Sequence, residues 1–172
     1  MKTPDQKTDN VLFSILMGIF AIWAIAFLLI ATSHPAKAMK TQNYSGYELT
    51  NALDYAIDYL QLPDTITVII QKTNGKSVGF DAITKQVTPQ VYTIMINQSM
   101  SEKEAEETLF HELAHVSQFV TGTLKILDDM HYLWKGKKHE INARFHYDDP
   151  PERDARNVGK TMCFNYRKKN RK

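Results

Sequence analysis

The chain has 172 residues, of which 43% are hydrophobic, and 21 Lys and Arg against 19 Asp and Glu give it a formal net charge of +2. This length suits one ordinary domain, and the high apolar content with a low net charge excludes an intrinsically disordered chain. A single cysteine, Cys163, excludes an internal disulfide framework and a cysteine-rich structural zinc site.

Residues 11–31 form an apolar run, VLFSILMGIFAIWAIAFLLIA, without a charged residue. About 20 such residues cover the ~30 Å hydrocarbon core of a bilayer, which predicts an uncleaved transmembrane anchor after a short N-terminal tail, residues 1–10. The alternative is a cleavable signal peptide, since Ala36–Ala38 has the small-x-small form of a cleavage site and cleavage there leaves Met39 first.

Positive charges flank this run and set its predicted orientation. Lys2 and Lys7 precede the run, and Lys37 and Lys40 follow it closely. The terminal amine adds positive charge on the first side, and positive charge favours the cytoplasmic side. The sequence thus predicts a single-pass membrane protein whose body is extracytoplasmic.

The rest of the chain reads as one α+β domain, residues 44–165, between a polar linker, residues 32–43, and a basic tail, residues 166–172. Ser45–Glu48 has the form of a capping box and opens an amphipathic helix that Pro63 ends. The strands predicted from β-branched runs and turn signals are Thr65–Gln71, a short Val78–Phe80, Val91–Asn97, and a hairpin over Leu133–Ile141 that turns at Lys135-Gly136.

A second capping box, Ser101–Glu104, opens the central helix, which we expect to run to about Thr121 with Gly122 as its stop. Its core face is the apolar stripe Leu109, Leu113, Val116 and Val120. Pro150-Pro151 suits the first turn of a last helix. The predicted fold is a small antiparallel or mixed sheet packed on the central helix, preceded by one transmembrane helix.

The central helix contains His111-Glu112-Leu113-Ala114-His115, the pattern H-E-x-x-H. Residues four apart lie on one helix face, so both imidazoles can reach one zinc ion at about 2.0–2.1 Å. Glu112 stands beside the metal without ligating it, where a carboxylate can take a proton from an activated water. The alternative is a helix with two solvated histidines, but the chance count of this pattern is roughly 0.01 per chain.

A catalytic zinc needs a third protein ligand and an open position. Gln118 and Thr121 stand where a metzincin carries Gly and His, which excludes that group. Glu152 at the start of the last helix is the predicted third ligand, and Asp154 is the alternative. The other interpretation of Glu152 is an acid that only complements the helix dipole.

These motifs carry a family resemblance. The capped H-E-x-x-H helix, the turn Trp134–Gly136 and then Pro150–Ala155 resemble the minimal zincin-like metallopeptidases of bacteria and phages. The chain is similar to the ImmA/IrrE type, in which an E-x-[DE]-A helix supplies the third zinc ligand. The similarity covers about Gly46 to Cys163.

The resemblance implies that the strand Val91–Asn97 is an edge strand beside the cleft, and an exposed edge can pair with an extended peptide. One departure concerns the partner of the zinc-binding histidines. Thermolysin-like relatives carry Asp four residues after the ligand Glu, where this chain has Arg156, so that partner is unassigned and Asp154 is the candidate.

Other polar residues receive weaker interpretations. Between the two ligand segments lie three histidines and two tyrosines: His131, His139, His146, Tyr132 and Tyr147. One of these histidines is a candidate to stabilise an oxyanion, although the favoured interpretation of each is an ordinary surface histidine. Trp134 and Cys163 are interpreted as packing residues. For the basic tail, a solvated end is favoured over attraction to lipid headgroups, and the charge balance argues against nucleic-acid binding.

The predicted function is a membrane-anchored zinc metallopeptidase that acts on a peptide or protein substrate. His111, His115 and Glu152 hold the Zn²⁺, and Glu112 is the general base. Two alternatives remain open: a catalytically idle zincin fold that serves as an interaction module at the membrane, and a zinc hydrolase of another amide bond, such as one in cell-wall peptide.

Overall fold

A computed structural model describes residues 40–74, 81–141 and 148–170, which form two sheets and three helices. All of these residues belong to the second of the two units into which the chain divides, residues 38–172. The strands are β1 (Lys40–Tyr44), β2 (Thr67–Thr73), β3 (Ala82–Thr88), β4 (Val91–Asn97), β5 (Leu124–Asp128), β6 (His131–Trp134) and β7 (Lys137–Glu140). The helices are α1 (Thr50–Leu60), α2 (Glu102–Val120) and α3 (Pro150–Lys169).

The larger sheet is mixed, with the strand order β1-β2-β4-β3. Strands β1, β2 and β4 are parallel, whereas β3 runs antiparallel to β4 and occupies the edge. Alternate residues of the two central strands point to one face, as the strand geometry requires. The fully buried side chains on that face are Val68, Ile70, Tyr92, Ile94 and Ile96.

Helix α2 crosses this sheet and begins at the predicted capping box. The Ser101 hydroxyl accepts a hydrogen bond from the Glu104 N–H at 3.3 Å, and the Glu104 carboxylate accepts one from the Ser101 N–H at 2.8 Å. The helix ends at Val120 with Thr121 as its C-cap, and Gly122 follows with a φ of +68°. Its predicted stripe is fully buried at Leu109, Leu113 and Val116.

The smaller sheet contains the predicted hairpin. Strands β6 and β7 pair through a turn in which Lys135 and Gly136 both have positive φ, 49° and 77°, as a tight hairpin turn requires. Strand β5 completes this sheet beside β6 and was not predicted. Trp134 packs against Leu124 and Tyr132 in a small cluster of its own, which confirms its interpretation as a packing residue.

Helix α3 lies against α2 and begins with Pro150 and Pro151 in its first turn, as predicted. The two helices approach each other closely at Gly159, where an added Cβ atom would lie 3.0 Å from the His111 backbone nitrogen. The helix continues to Lys169, so that the first residues of the predicted tail are helical. One of them, Arg167, is anchored to carboxylates of α2 rather than solvated.

We expect the substitution Gly159→Ala to lower the free energy of unfolding by about 1–2 kcal/mol net, because the new methyl group meets helix backbone that cannot turn aside, at a packing cost of about 1–3 kcal/mol. The helix propensity gained by the change, about 1 kcal/mol, works in the opposite direction and is smaller. Urea unfolding of the full chain measures the difference. Asn157→Ala, at an exposed position of the same helix, is the control, and equal stability of Gly159→Ala and the parent chain would contradict the close approach.

Several sequence predictions need correction. The predicted cap Ser45–Glu48 is wrong, because α1 begins at Thr50 and the Ser45 hydroxyl instead donates to Asn43 Oδ1 at 2.6 Å. Part of the predicted linker forms β1, whose side chains are all exposed, so that no apolar alternation marks it.

The predicted edge strand is also wrong. Val91–Asn97 does form a strand, but it lies between β2 and β3, and β3 is the edge strand on that side. The short strand predicted at Val78–Phe80 lies outside the described residues. Strand β3 escaped prediction because its side chains are mostly exposed and carry no regular apolar pattern.

The membrane-anchored fold class is corrected as well. Among the described residues, no helix is long and apolar enough to cross a membrane. Helices α2 and α3 have 19 and 20 residues, but charged side chains recur along both of them. The predicted anchor, residues 11–31, lies outside the described residues. The predictions of a transmembrane helix, a single-pass membrane localisation and an extracytoplasmic body are therefore withdrawn.

Candidate metal centre

Two helices bring the three predicted ligands together. His111 and His115 lie one turn apart on α2, and Glu152 stands in the first turn of α3. The two imidazole Nε2 atoms are 3.1 Å apart, and Glu152 places Oε2 3.2 Å from His111 Nε2 and Oε1 3.2 Å from His115 Nε2. Candidate ligand atoms of these three residues all lie within 4.8 Å of one another.

This donor set fits a zinc ion. Two ligands at about 2.0–2.1 Å from a tetrahedral ion are about 3.3 Å apart, close to the 3.1–3.2 Å separations found here. Two imidazoles and one carboxylate are also the donors of many catalytic zinc sites, which keep a fourth position open. The His111 side chain is 25% exposed, so that one side of the cluster faces the adjoining cleft.

Gln118 orients the more deeply buried histidine. Its Oε1 lies 2.9 Å from His115 Nδ1, while its Nε2 donates to the Pro151 carbonyl at 3.0 Å and to Asp154 Oδ2 at 2.9 Å. Because the amide N–H groups are occupied by these two acceptors, the amide oxygen faces the imidazole and Nδ1 carries the proton. This tautomer leaves the lone pair of His115 Nε2 directed at the cluster.

The same contacts revise the role predicted for Asp154. Among the described residues, Asp154 is neither in the cluster of possible ligands nor hydrogen-bonded to a histidine, and it acts on His115 through Gln118. Gln118 was noted in the sequence only as a departure from metzincin spacing. A usable signal was its position three residues after a predicted ligand, one helical turn away on the same side.

Glu152 also affects the proton affinity of His115. Burial by itself lowers the pKa of His115, but the hydrogen bond that its imidazole donates to Glu152 and the charges of Glu112 and Glu152 outweigh burial, and the pKa is raised. In the absence of a metal, the imidazole and the carboxylate therefore attract one proton between them. A metal ion that binds here takes the place of that proton.

Glu112 lies beside the cluster but outside it, as predicted for a residue that does not ligate. It is 5% exposed, and the Thr84 hydroxyl of β3 donates a 2.7 Å hydrogen bond to its Oε2. Burial raises the pKa of the Glu112 carboxyl, against the opposing effects of His115 and of the bond from Thr84. Thr84 was not identified from the sequence, because its strand was not predicted.

A cleft of about 530 Å³ opens over the cluster. Strand β3 contributes Ala82, Ile83 and Thr84 to one side of it. Tyr132 of β6 lines the cleft as well, and its pKa is raised by burial and then by the charges of Asp149 and Glu152. The phenol therefore stays protonated and can donate a hydrogen bond.

The predicted histidine candidates are placed differently. His131 is paired with Asp128 at 2.8 Å, and the ring of His139 stacks on Tyr132 with the ring centroids 5.2 Å apart. Neither of the two lines the cleft. His146 and Tyr147 lie outside the described residues. Cys163 is buried, as predicted, and is not part of the metal cluster.

We expect Gln118→Ala to weaken zinc binding by about 10–100-fold, because the histidine loses the contact that sets its tautomer and ring orientation. The change leaves all three ligands in place, so zinc is bound less tightly rather than lost. Competition with a chromogenic chelator measures the affinity of the full chain. Gln90→Ala, at an exposed turn, is the matched control, and unchanged affinity in Gln118→Ala would rule out the orienting role.

Comparison of the chain with known proteins found no similar protein. No family model, no curated protein and no solved structure matches the chain. The resemblance to zincin-like metallopeptidases thus continues to depend on the motifs of the sequence, and the arguments below depend on the geometry of the site.

Proposed function

We propose that this protein is a zinc-dependent metallopeptidase of the zincin-like class, similar to the ImmA/IrrE type. The observation that carries the proposal is the meeting of His111, His115 and Glu152 from two separate helices, with Glu112 buried beside them. Two solvated histidines would not need a carboxylate brought to both of their Nε2 atoms. A glutamate that only complements a helix dipole would not need to approach either histidine.

In the proposed mechanism of amide hydrolysis, each residue of the cleft has a separate role. When bound, zinc would act as a Lewis acid that polarises a carbonyl group and lowers the pKa of a water molecule bound to it towards about 7. Glu112 takes the proton of the attacking water on its carboxylate and later delivers it to the leaving amine. Thr84 holds one oxygen of that carboxylate in place. Tyr132 can donate a hydrogen bond to the oxyanion that forms on the carbonyl.

The edge strand β3 suits a peptide substrate. Among the described residues it pairs with β4 alone, so that its other edge carries main-chain groups available to a further strand. An extended peptide gains affinity from such main-chain hydrogen bonds, and its side chains enter pockets on alternate sides. Because Ala82–Thr84 borders the cleft, a peptide laid along this edge passes the metal cluster.

The test is a digest of a peptide library by the purified, zinc-loaded full chain, with products identified by mass spectrometry. We expect cleavage that stops when a chelator removes the metal and returns when zinc is restored. Cleavage that persists after complete metal removal would refute the zinc mechanism. If the loaded protein cleaves no peptide, the interaction module or a hydrolase of another amide bond becomes the better account.

A further inference from the structure

We propose that a basic groove beside the metal cleft binds a carboxylate of the substrate, so that the enzyme prefers peptides with an acidic group near the scissile bond. This inference rests on the proposed function and names the substrate class of the same site. The basic groove has a volume of about 690 Å³ and lies between α2 and α3. Its lining residues are Glu107, Thr108 and His111 from α2, and Arg156, Gly159, Lys160, Cys163, Phe164, Arg167 and Lys168 from α3.

The basic groove adjoins the metal cleft. Thr108, His111 and Arg156 line both spaces, and His111 is one of the predicted ligands. Gly159 lets α3 pack closely against α2 beside His111, since a Cβ atom added at this position would lie 3.0 Å from the His111 backbone nitrogen. Lys160 follows Gly159 directly in the chain. A substrate that occupies the metal cleft and continues past His111 therefore enters the basic groove.

The charges of the basic groove favour an anion. Of the described residues that line it, four carry basic side chains and one carries a carboxylate, which is an excess of three positive charges. Arg167 and the carboxylate of Glu107 form an ion pair at 2.7 Å, so that these two charges largely satisfy each other. Within the part of the chain that the structure describes, Lys160 and Lys168 are exposed and take part in no ion pair.

The apolar surface of the basic groove suits a side chain rather than a free inorganic ion. The Phe164 ring is 68% exposed on its wall, where burying it against the methylene groups of a substrate is favourable. A glutamate or aspartate side chain, or a C-terminal residue, presents both an apolar stem and a carboxylate. Either source brings the same anionic group to the same lysines.

The test uses matched peptides built on a sequence that the full chain cleaves, with Glu or Gln at each position around the scissile bond. We expect kcat/KM for the Glu peptide to exceed that for the Gln peptide by about tenfold at one or more positions, and the preference to shrink as salt is added. The double variant Lys160→Glu/Lys168→Glu should lose this preference while it still cleaves the Gln peptide. Lys137→Glu, an exposed lysine of β7, is the control and should retain the preference.

Two arms separate the sources of the carboxylate. If the preference persists in peptides with amidated C-termini, the groove binds an acidic side chain, and if it requires a free C-terminus, the groove binds the terminal carboxylate. Equal kcat/KM for Glu and Gln peptides of both kinds would overturn the basic groove as a carboxylate site, while the peptidase function would stand.

Direct binding separates failure of this inference from failure of the proposed function. If nothing is cleaved, the affinity of fluorescent Glu and Gln peptides for the zinc-loaded protein still tests the groove. Tighter binding of the Glu peptide by about tenfold, lost in the double lysine variant, would support a carboxylate site on a protein that is no peptidase. Equal affinity for the two peptides would overturn it. Circular dichroism and thermal unfolding check that the variants are folded.

Discussion

Glu112→Gln is expected to leave the bound zinc in place and to lower the rate of peptide cleavage by about 10²–10⁴-fold. The substitution keeps the size and shape of the side chain and removes only its basicity. The amide oxygen can still accept the hydrogen bond from Thr84, so that the position of the side chain is kept. What is lost is a group that can take a proton from water and return it to the amine. Single-turnover rates and zinc content, measured on the same preparation, give the two quantities.

Glu102→Gln makes the same chemical change in the same helix, at an exposed position in the first turn, and should retain full activity. Equal rates for Glu112→Gln and the parent chain would show that this carboxylate is not the base. A loss of zinc together with activity would show instead that Glu112 helps to hold the metal. A normal zinc content with a slow reaction is the result that the mechanism requires.

The parts of the fold that the sequence predicted are those governed by local signals. The capping box at Ser101, the buried stripe of α2, the hairpin turn at Lys135-Gly136 and the prolines that open α3 each act over a few residues. The candidate metal ligands also followed from local signals. His111 and His115 are one turn apart on a single helix, and Glu152 is in the first turn of another.

The parts that were missed depend on contacts between segments far apart in the chain. Strands β1 and β3 lie at the two edges of the larger sheet with mostly exposed side chains, so they lack the apolar alternation by which strands are identified. Their identity comes from pairing with β2 and β4. Because β3 was missed, nothing in the sequence opposed the edge position that the resemblance implied for Val91–Asn97, and Thr84, which donates a hydrogen bond to Glu112, stayed unidentified.

The hydrogen-bond partner of His115 was also missed because it depends on contacts between separate segments. A carboxylate in the next helix was the natural candidate, because carboxylates commonly orient zinc-binding histidines. Gln118 occupies the space between them and can satisfy both neighbours at once, since its amide accepts from the imidazole and donates to Asp154. That Gln118 lies between His115 and Asp154 depends on how α2 packs against α3, which the sequence alone does not show.

His115→Ala is expected to abolish stoichiometric zinc binding, because it removes one of the three protein donors of the cluster. The two donors that remain, one on each helix, are fewer than the three that a catalytic zinc site uses. Glu152→Ala should have a similar effect, since its carboxylate is the only donor from α3 in the cluster. We expect zinc to raise the thermal stability of the parent chain, since a ligand that binds only the folded state stabilises it, and both variants should lose this rise. Metal analysis after dialysis, with unfolding scans with and without zinc, measures both effects.

The matched controls are His131→Ala and Asp154→Ala. His131 is a histidine paired with Asp128 outside the cluster, and its removal should leave one zinc per chain. Asp154 contacts the site only through Gln118, so its removal should weaken the affinity by no more than about 10–100-fold. Full zinc occupancy in Glu152→Ala would refute its assignment as the third ligand. Glu152 is the one residue of the candidate cluster that α3 supplies. If the Glu152→Ala variant retained zinc, the approach of the two helices would serve packing rather than metal binding.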